Sequence, residues 1–247
     1  MKILALDTAT EGCSAALWID GLVGEREVEA ERGHAEIILT MVDEVLSEAG
    51  VSLSSLDAIA FGRGPGAFTG VRLAASVAQG LAFGAGLPVV PISDLQAVAQ
   101  RVFDLRDGSM SSRQLRSKTS LTSLAPHRVL VCNDARMQEV YWACFELREN
   151  RLMRIEGTEH VSPPVQVTLP ASWSGKQVLG AGRGFRAYPI LKEKLNNLVS
   201  EVMDDALPCA SVIASLAVEE VRQGRLLSAE QALPVYLRDD VAQPKPT

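Results

Sequence analysis

The sequence predicts an α/β protein made of two halves of like topology, and three observations carry that reading. Residues 58–90 read as a strand, a glycine turn, a helix and a second strand, the unit from which parallel sheets are built. Residues 129–144 can be laid on residues 3–18 without gaps, each stretch being strand, acidic turn and strand. The chain also opens with alternating and apolar runs that form a three-stranded meander. With 247 residues there is ample material for one large domain or two medium ones.

Taken in order, residues 3–7 form a buried strand that ends on Asp7. A turn rich in small hydroxyl residues follows, then a strand over 15–19 and an Asp20-Gly21 hairpin turn. In residues 22–30, Glu25, Glu27 and Glu29 alternate with Arg26, Val28 and Ala30, the pattern of an edge or half-exposed strand. His34 to Ala49 carries Ile37, Ile38, Met41, Val42, Val45 and Leu46 at helical spacing, and Gly50 stops the helix. After the 58–90 unit, Ser93 caps a helix running from Asp94 to about Asp104. Residues 105–127 are rich in Ser and Thr and hold Arg113, Arg116 and Lys118 with no acid among 108–123; they read as a basic insertion or linker between the halves.

In the second half, 146–169 is irregular or strand-like and punctuated by Pro. A short strand over 177–179 leads into a second glycine turn at 180–184, and 186–196 is helical. The last strong helix spans 209–223, an extended ending covers 225–238, and the tail from Gln243 reads as disordered. The expected organisation is therefore residues 1–104, an insertion at 105–127, a second half over 128–242 and a tail at 243–247. The 209–223 helix is a candidate to pack back on the first half.

The totals exclude several classes. A net charge of −6 argues against wholesale nucleic-acid binding by the chain alone, since that needs clustered Lys and Arg. Cys13, Cys132, Cys144 and Cys209 are scattered and form no Cys-x-x-Cys, which favours reduced thiols over disulfides. The N-terminal apolar run is too short for a signal peptide, and the longest weakly charged run, 71–91, is interrupted by Arg72, Gln79 and Pro88. The chain therefore reads as cytoplasmic, with no membrane partner.

The glycine turn after residue 62 lacks the Gly-Lys-Ser/Thr of a P-loop. No Asp or Glu occurs between Asp57 and Asp94 to bind a ribose, as a dinucleotide turn requires. Two readings stay open: free backbone N–H groups that hold an anion, or glycines that let the helix pack closely. The helix that follows is small and apolar all round, with Ser76, Gly80 and Gly84 recurring every four residues. That predicts burial on all sides, or a subunit interface shared with the 34–49 helix. Asp7 with Thr8 and Thr10 has the chemistry to hold a magnesium-bound water and a phosphate. Its counterpart in the second half carries Arg136, Met137, Gln138 and Glu139 in place of small residues, so an ATP site between the halves is half-dismantled. His34, His127 and His160 are isolated, no Gly-x-Ser-x-Gly elbow occurs, and no catalytic residue, metal site or cofactor is expected.

Five segments together resemble one family. They are Ile3 to Thr10, Gly33-His-Ala-Glu, the Gly62-Arg-Gly-Pro-Gly-Ala-Phe-Thr-Gly-Val-Arg-Leu run, Asp134 to Tyr141, and Pro234-Val-Tyr-Leu-Arg. The chain resembles the bacterial TsaB (YeaZ) family over nearly its whole length, the 105–127 insertion being the departure. The resemblance implies two ribonuclease-H-like domains of the actin/Hsp70/sugar-kinase superfamily, the second reduced. It implies a non-catalytic scaffold or activator working with TsaD, TsaE and a TsaC-type synthase in N6-threonylcarbamoylation of adenosine 37 in tRNAs reading ANN codons. It also implies self-association as a homodimer through the surface that meets TsaD, with tRNA reached only through the complex. Helices 34–49 and 71–86 sit where that pairing falls. The expected partner surface is His34, Ile38, Met41, Val42, Val45, Val71, Arg72, Ala75, Ser76, Gln79 and Gly80. The expected vestigial phosphate loops hold Asp7, Thr8, Thr10, Gly64, Gly66, Thr69 and Gly70. The rival readings are an active ATP-dependent small-molecule kinase of the same superfamily and, disfavoured by the absent nucleophile and metal motifs, a peptidase.

Overall fold

The computed structural model describes residues 1–30, 32–110 and 127–238. Two five-stranded sheets are built with the same strand order. In the first, β1 (Lys2–Asp7), β2 (Gly12–Ile19) and β3 (Leu22–Glu29) form an antiparallel meander, and β4 (Ala58–Gly62) and β5 (Val89–Ile92) add in parallel beyond β1. In the second, β6 (Arg128–Asp134), β7 (Val140–Leu147) and β8 (Met153–Ser162) repeat the meander, and β9 (Val178–Ala181) and β10 (Val199–Met203) repeat the parallel addition. The two-residue turn Asp20-Gly21 has both residues at positive φ, 47° and 100°, which matches the twist of the strands it joins.

Each sheet buries both faces, and side-chain alternation sorts the residues between them. Leu4, Leu6, Ile59 and Phe61 face α1 (His34–Ala49) and α2 (Phe68–Ala85). Ile3, Ala5, Ala58 and Ala60 face α6 (Ala210–Arg222), the helix from the far end of the chain. In exchange, α3 (Asp94–Asp107), which leaves the first sheet, lies on the second: Leu95, Val98, Val102 and Phe103 pack on Val129, Val131, Phe145 and Leu179. The outer face of the second sheet, with Leu130, Trp142 and Val178, is covered by the short α4 (Gly184–Ala187) and α5 (Ile190–Leu195). The layers thus alternate helix, sheet, helix, sheet, helix. Arg101 of α3 forks onto both Glu27 carboxylate oxygens at 2.8 and 3.0 Å and also donates to the Leu207 carbonyl, so the crossing helix is tied to β3.

The second half is reduced in its helices and not in its sheet. Only single 3₁₀ turns at Pro164–Gln166 and Ala171–Trp173 stand where the first half has the 16-residue α1. Two expectations are corrected here, and one strand is new. The helix that starts at Asp94 continues to Asp107, because Leu105 and Arg106 are buried and Arg106 pairs with Glu201; residues 105–107 belong to the fold and not to the insertion. The stretch 186–196 is broken into two short helices at Tyr188 and Pro189. And β10 was not foreseen, since Val-Ser-Glu-Val-Met has too little apolar alternation to announce a strand. The Ser-rich stretch 111–126 with Arg113, Arg116 and Lys118, and the tail from 239, lie outside the described residues. Among the described residues no helix is long and apolar enough to cross a membrane.

Candidate functional site

The loop between β4 and α2 rests directly on the β1–β2 turn. A Cβ added at Gly70 would overlap the Thr8 carbonyl, and one at Gly66 would overlap the Ala9 carbonyl. The Thr8 hydroxyl donates to the Gly70 carbonyl at 2.7 Å, and the Ala67 N–H donates to the Ala9 carbonyl at 2.7 Å. These glycines therefore serve close approach of two loops. Of the expected phosphate-loop residues, Thr8 and Gly70 are buried in this contact, Gly64 is buried against Val235 and Val71, and Thr10 and Gly66 reach the surface of the cleft described below. The Thr10 hydroxyl accepts the Gly12 N–H at 3.2 Å, and Thr69 is exposed on α2.

Asp7 does not reach that cleft. It is fully buried beside Asp94, which is also fully buried, and both carboxyls crowd against Gly62. The Asp7 carboxylate accepts the Ala9 N–H at 3.0 Å, and Asp94 accepts the Gly64 N–H. Burial raises the Asp7 pKa, offset in part by hydrogen bonds from Asp94 and from the Ala9 and Thr8 N–H groups. Burial, and then the Asp7 charge, push Asp94 well above the carboxylate range. This corrects the expectation that Asp7 faces a magnesium-bound water and a phosphate: its carboxyl is committed to a neighbour inside the protein. Asp94 was legible only as the first residue of a helix.

Between the two sheets opens a cleft of about 820 Å³. Its first wall holds Thr10, Glu11, Phe68 and Arg72, its second wall Asn133, Arg136, Tyr141 and Arg183, and the segment Val235 to Arg238 borders both. Arg183 pairs with Glu11 at 3.4 Å and Glu29 at 2.6 Å, Arg136 with Asp134 at 3.1 Å, and Arg238 with Glu139. The Asn133 amide is almost fully buried, and neither its oxygen nor its nitrogen has a partner. Arg136, Met137 and Gln138 occupy consecutive left-handed conformations, with φ of 60°, 52° and 61°, where the first half has a compact small-residue turn.

The outer side of α2 forms a second surface. Thr69, Arg72, Ser76, Gly80, Phe83 and Gly84 face outward along one stripe, and nothing lies within 4 Å of a Cβ built at Gly80. Within this chain the helix is therefore not internal on every side, the first of the two alternatives its composition left open. The expected partner residues divide accordingly. Ala75, at 3% exposed, and Ile38, Val42 and Val45, at 0%, 4% and 3%, are packed in the core between these helices and the first sheet, and Val71, at 2%, is buried at the edge of the cleft. Met41 is half-buried against the same core, His34 contacts the Ala30 carbonyl at 2.9 Å, and Gln79 donates to the Ala229 carbonyl at 3.3 Å. Arg72, Ser76 and Gly80 are the expected residues that face out. Leu39, which lies off the main apolar stripe of the 34–49 helix in the sequence, is exposed nearby, and sequence reasoning missed the exposed Phe83, Phe68 and Tyr236. The Arg72 guanidinium lies 3.3 Å from the centre of the Phe68 ring, and its Nε donates to the Tyr236 hydroxyl at 2.7 Å. Among the described residues no three His, Cys, Asp or Glu side chains gather as a metal set.

Comparison with known proteins places this geometry in a family. A family model described as "TsaD: tRNA N6-adenosine threonylcarbamoyltransferase" matches residues 27–243. An Escherichia coli (strain K12) protein named "tRNA threonylcarbamoyladenosine biosynthesis protein TsaB" is 39% identical over 245 residues, covering 99% of this chain and 98% of its own. A Haemophilus influenzae protein of the same name is 38% identical over 252 residues, covering 99% and 97%. A crystal structure of a Pseudomonas aeruginosa protein described as similar to peptidase YEAZ matches with a TM-score of 0.83 and 42% identity, over 96% of this chain and 99% of that one.

Proposed function

The chain belongs to the TsaB (YeaZ) family of tRNA threonylcarbamoyladenosine biosynthesis proteins, and we propose that it serves that pathway as an accessory subunit without a catalytic centre of its own. Its partner in this reading is a TsaD-type transferase, with a TsaE-type ATPase and a TsaC-type synthase acting alongside. The reaction served is N6-threonylcarbamoylation of adenosine 37 in tRNAs reading ANN codons, and self-association of the chain uses the surface that meets the transferase.

The observation that carries the reading is the outward stripe of α2. Ser76, Gly80 and Gly84 stand one helical turn apart and leave room for a second helix to approach, and Phe83 is 70% exposed beside them. Small residues flanked by exposed aromatics on an otherwise packed domain mark a protein–protein surface. The kinase reading is disfavoured by Asp7, whose carboxyl is buried against Asp94 and absent from the cleft wall.

The test is co-purification of the tagged chain with the transferase subunit from native lysate. Gly80→Arg and Ser76→Arg should lose the partner while the circular dichroism spectrum is unchanged. Retention of the partner by both variants would remove the basis of this reading.

A further inference from the structure

We infer that two copies of this chain pair through α1 and α2 with Arg72 of each copy seated on Asp43 of the other. The inference rests on the outer α2 surface proposed above and names the contact that sets its register. The first ground is Arg72. It is the only charged residue of α2, and it is exposed on the stripe that holds Thr69, Ser76 and Gly80. Its guanidinium is stacked on Phe68 at 3.3 Å, and its Nε donates to the Tyr236 hydroxyl at 2.7 Å. Among the described residues its two Nη groups have no hydrogen-bond partner. The acids of the nearby cleft are taken by other arginines: Glu11 and Asp134 by Arg136, Glu29 by Arg183 and Glu139 by Arg238. A side chain pinned along its stem has already lost most of its rotamer freedom, so its fork meets a carboxylate at little further entropic cost.

The second ground is α1. It carries Glu36, Asp43, Glu44 and Glu48 and no Lys or Arg. Glu44 and Glu48 pair with Arg26 of β3. Glu36 lies beside Gly33 in the first turn of its own helix, where a carboxylate complements the helix dipole. Asp43 is exposed and has no ion pair among the described residues. It belongs to an outer stripe of Glu36, Leu39, Asp43 and Ser47, all exposed.

The third ground is direction. α1 joins β3 to β4 and α2 joins β4 to β5, and these three strands run the same way, so the two helices lie parallel on one face of the sheet. A two-fold axis across the helices sets them antiparallel to those of the second copy. It brings the first turns of α2 over the later half of the opposing α1. Arg72 is in the second turn of α2 and Asp43 is past the middle of α1, whereas Glu36 falls at the wrong end. In such a pair every contact occurs twice, so a face with its cation on one helix and its free acid on the other is complementary to itself. Ser76, Gly80 and Gly84 admit the close approach, and Leu39 and Phe83, at 53% and 70% exposed, supply the apolar part. A second copy is the occupant chosen because this chain supplies both members of the ion pair.

The test is sedimentation velocity of the full chain over a concentration series. Association of the parent should weaken from low to high salt. Arg72→Glu and Asp43→Arg each set like charges together twice and should weaken self-association by about tenfold or more. A mixture of the two variants has opposite charges at both contacts and should regain the parent affinity, which also shows that each variant is folded. Glu36→Arg should not rescue Arg72→Glu on mixing. If Arg72→Glu loses its fold with the Phe68 contact, Arg72→Gln and Asp43→Asn carry the test, since both should remove the salt dependence. A parent that is monomeric at every concentration would overturn the pairing, as would single variants that associate like the parent or folded variants that stay apart when mixed. Charge variants that keep self-association but lose the transferase subunit would assign Arg72 to that partner instead. Gly80→Arg separates the two levels: if it loses both self-association and transferase capture while the charge variants change nothing, the α2 surface stands and the Arg72–Asp43 contact falls.

Discussion

Asp94 and Asp7 sit side by side beneath Gly62 in a site that solvent does not reach. Burial raises the pKa of both carboxyls, so the folded chain holds protons there more tightly than the unfolded chain does. Their contribution is therefore fully present below the unfolded value of 3.8 and is lost as pH rises through the folded value. Stability carried by this pair should fall as pH rises above 3.8. Asp94→Asn keeps a donor for Asp7 and an acceptor for the Gly64 N–H while removing the proton. It should flatten that pH dependence and match or exceed the parent in urea unfolding at pH 8. Asp94→Ala leaves both partners unsatisfied and should cost about 1–3 kcal/mol at every pH. An Asn variant as weak as the Ala variant would contradict the raised carboxyl pKa values.

The loop glycines and the helix glycines should respond in opposite ways to a single methyl group. Gly70→Ala drives a Cβ into the Thr8 carbonyl, which is fixed by its own strand end, and should destabilise by about 1–3 kcal/mol or prevent soluble expression. Gly80→Ala adds a methyl group to open space in a helix interior and should stabilise by about 0.5–1 kcal/mol. Chemical denaturation of both variants decides the point.

The Arg101–Glu27 fork is the buried ion pair that ties α3 to the first sheet, the two side chains being 5% and 13% exposed. Removing the arginine leaves a nearly buried carboxylate, and Arg101→Leu should cost about 3–5 kcal/mol. The double variant Arg101→Leu with Glu27→Leu should recover much of that loss, as measured by a double-mutant cycle.

On α2, neighbouring substitutions should separate folding from assembly. Ala75→Arg and Val42→Arg place a charge in the core and should abolish folding. Phe83→Asp and Ser76→Arg lie on the outer stripe and should leave the melting temperature nearly unchanged. They should shift sedimentation toward the monomer. Unchanged sedimentation in both would sever the outer stripe from self-association.

Much of the fold was legible because alternation and helical spacing are local signals. The Asp20-Gly21 hairpin, the edge strand with Glu25, Glu27 and Glu29, and the helix closed by Gly50 follow from residues a few positions apart. The buried side of α2 was not legible. Ala74, Ala75, Ala78 and Ala82 point inward and Ser76, Gly80 and Gly84 outward, so both sides are small and the pattern has too little contrast to orient the helix. The Asp7–Asp94 pair and the Asn133 wall depend on residues brought together by topology alone. Glycines in the turn looked equally suited to an anion and to close packing, and only the position of the Thr8 and Ala9 carbonyls decides between them.

The exchange of α3 and α6 between the sheets has a consequence for how the molecule melts and how it can be cut. A fragment ending at Asp107 would carry its first sheet without α6, leaving Ile3, Ala5, Ala58 and Ala60 uncovered, and would hold α3 with nothing to cover. The complementary fragment would lose Val98, Val102 and Phe103 from its own interior. Neither duplicated half is a self-sufficient folding unit, so the two should unfold together in one calorimetric transition, and separately expressed halves should regain structure only when mixed.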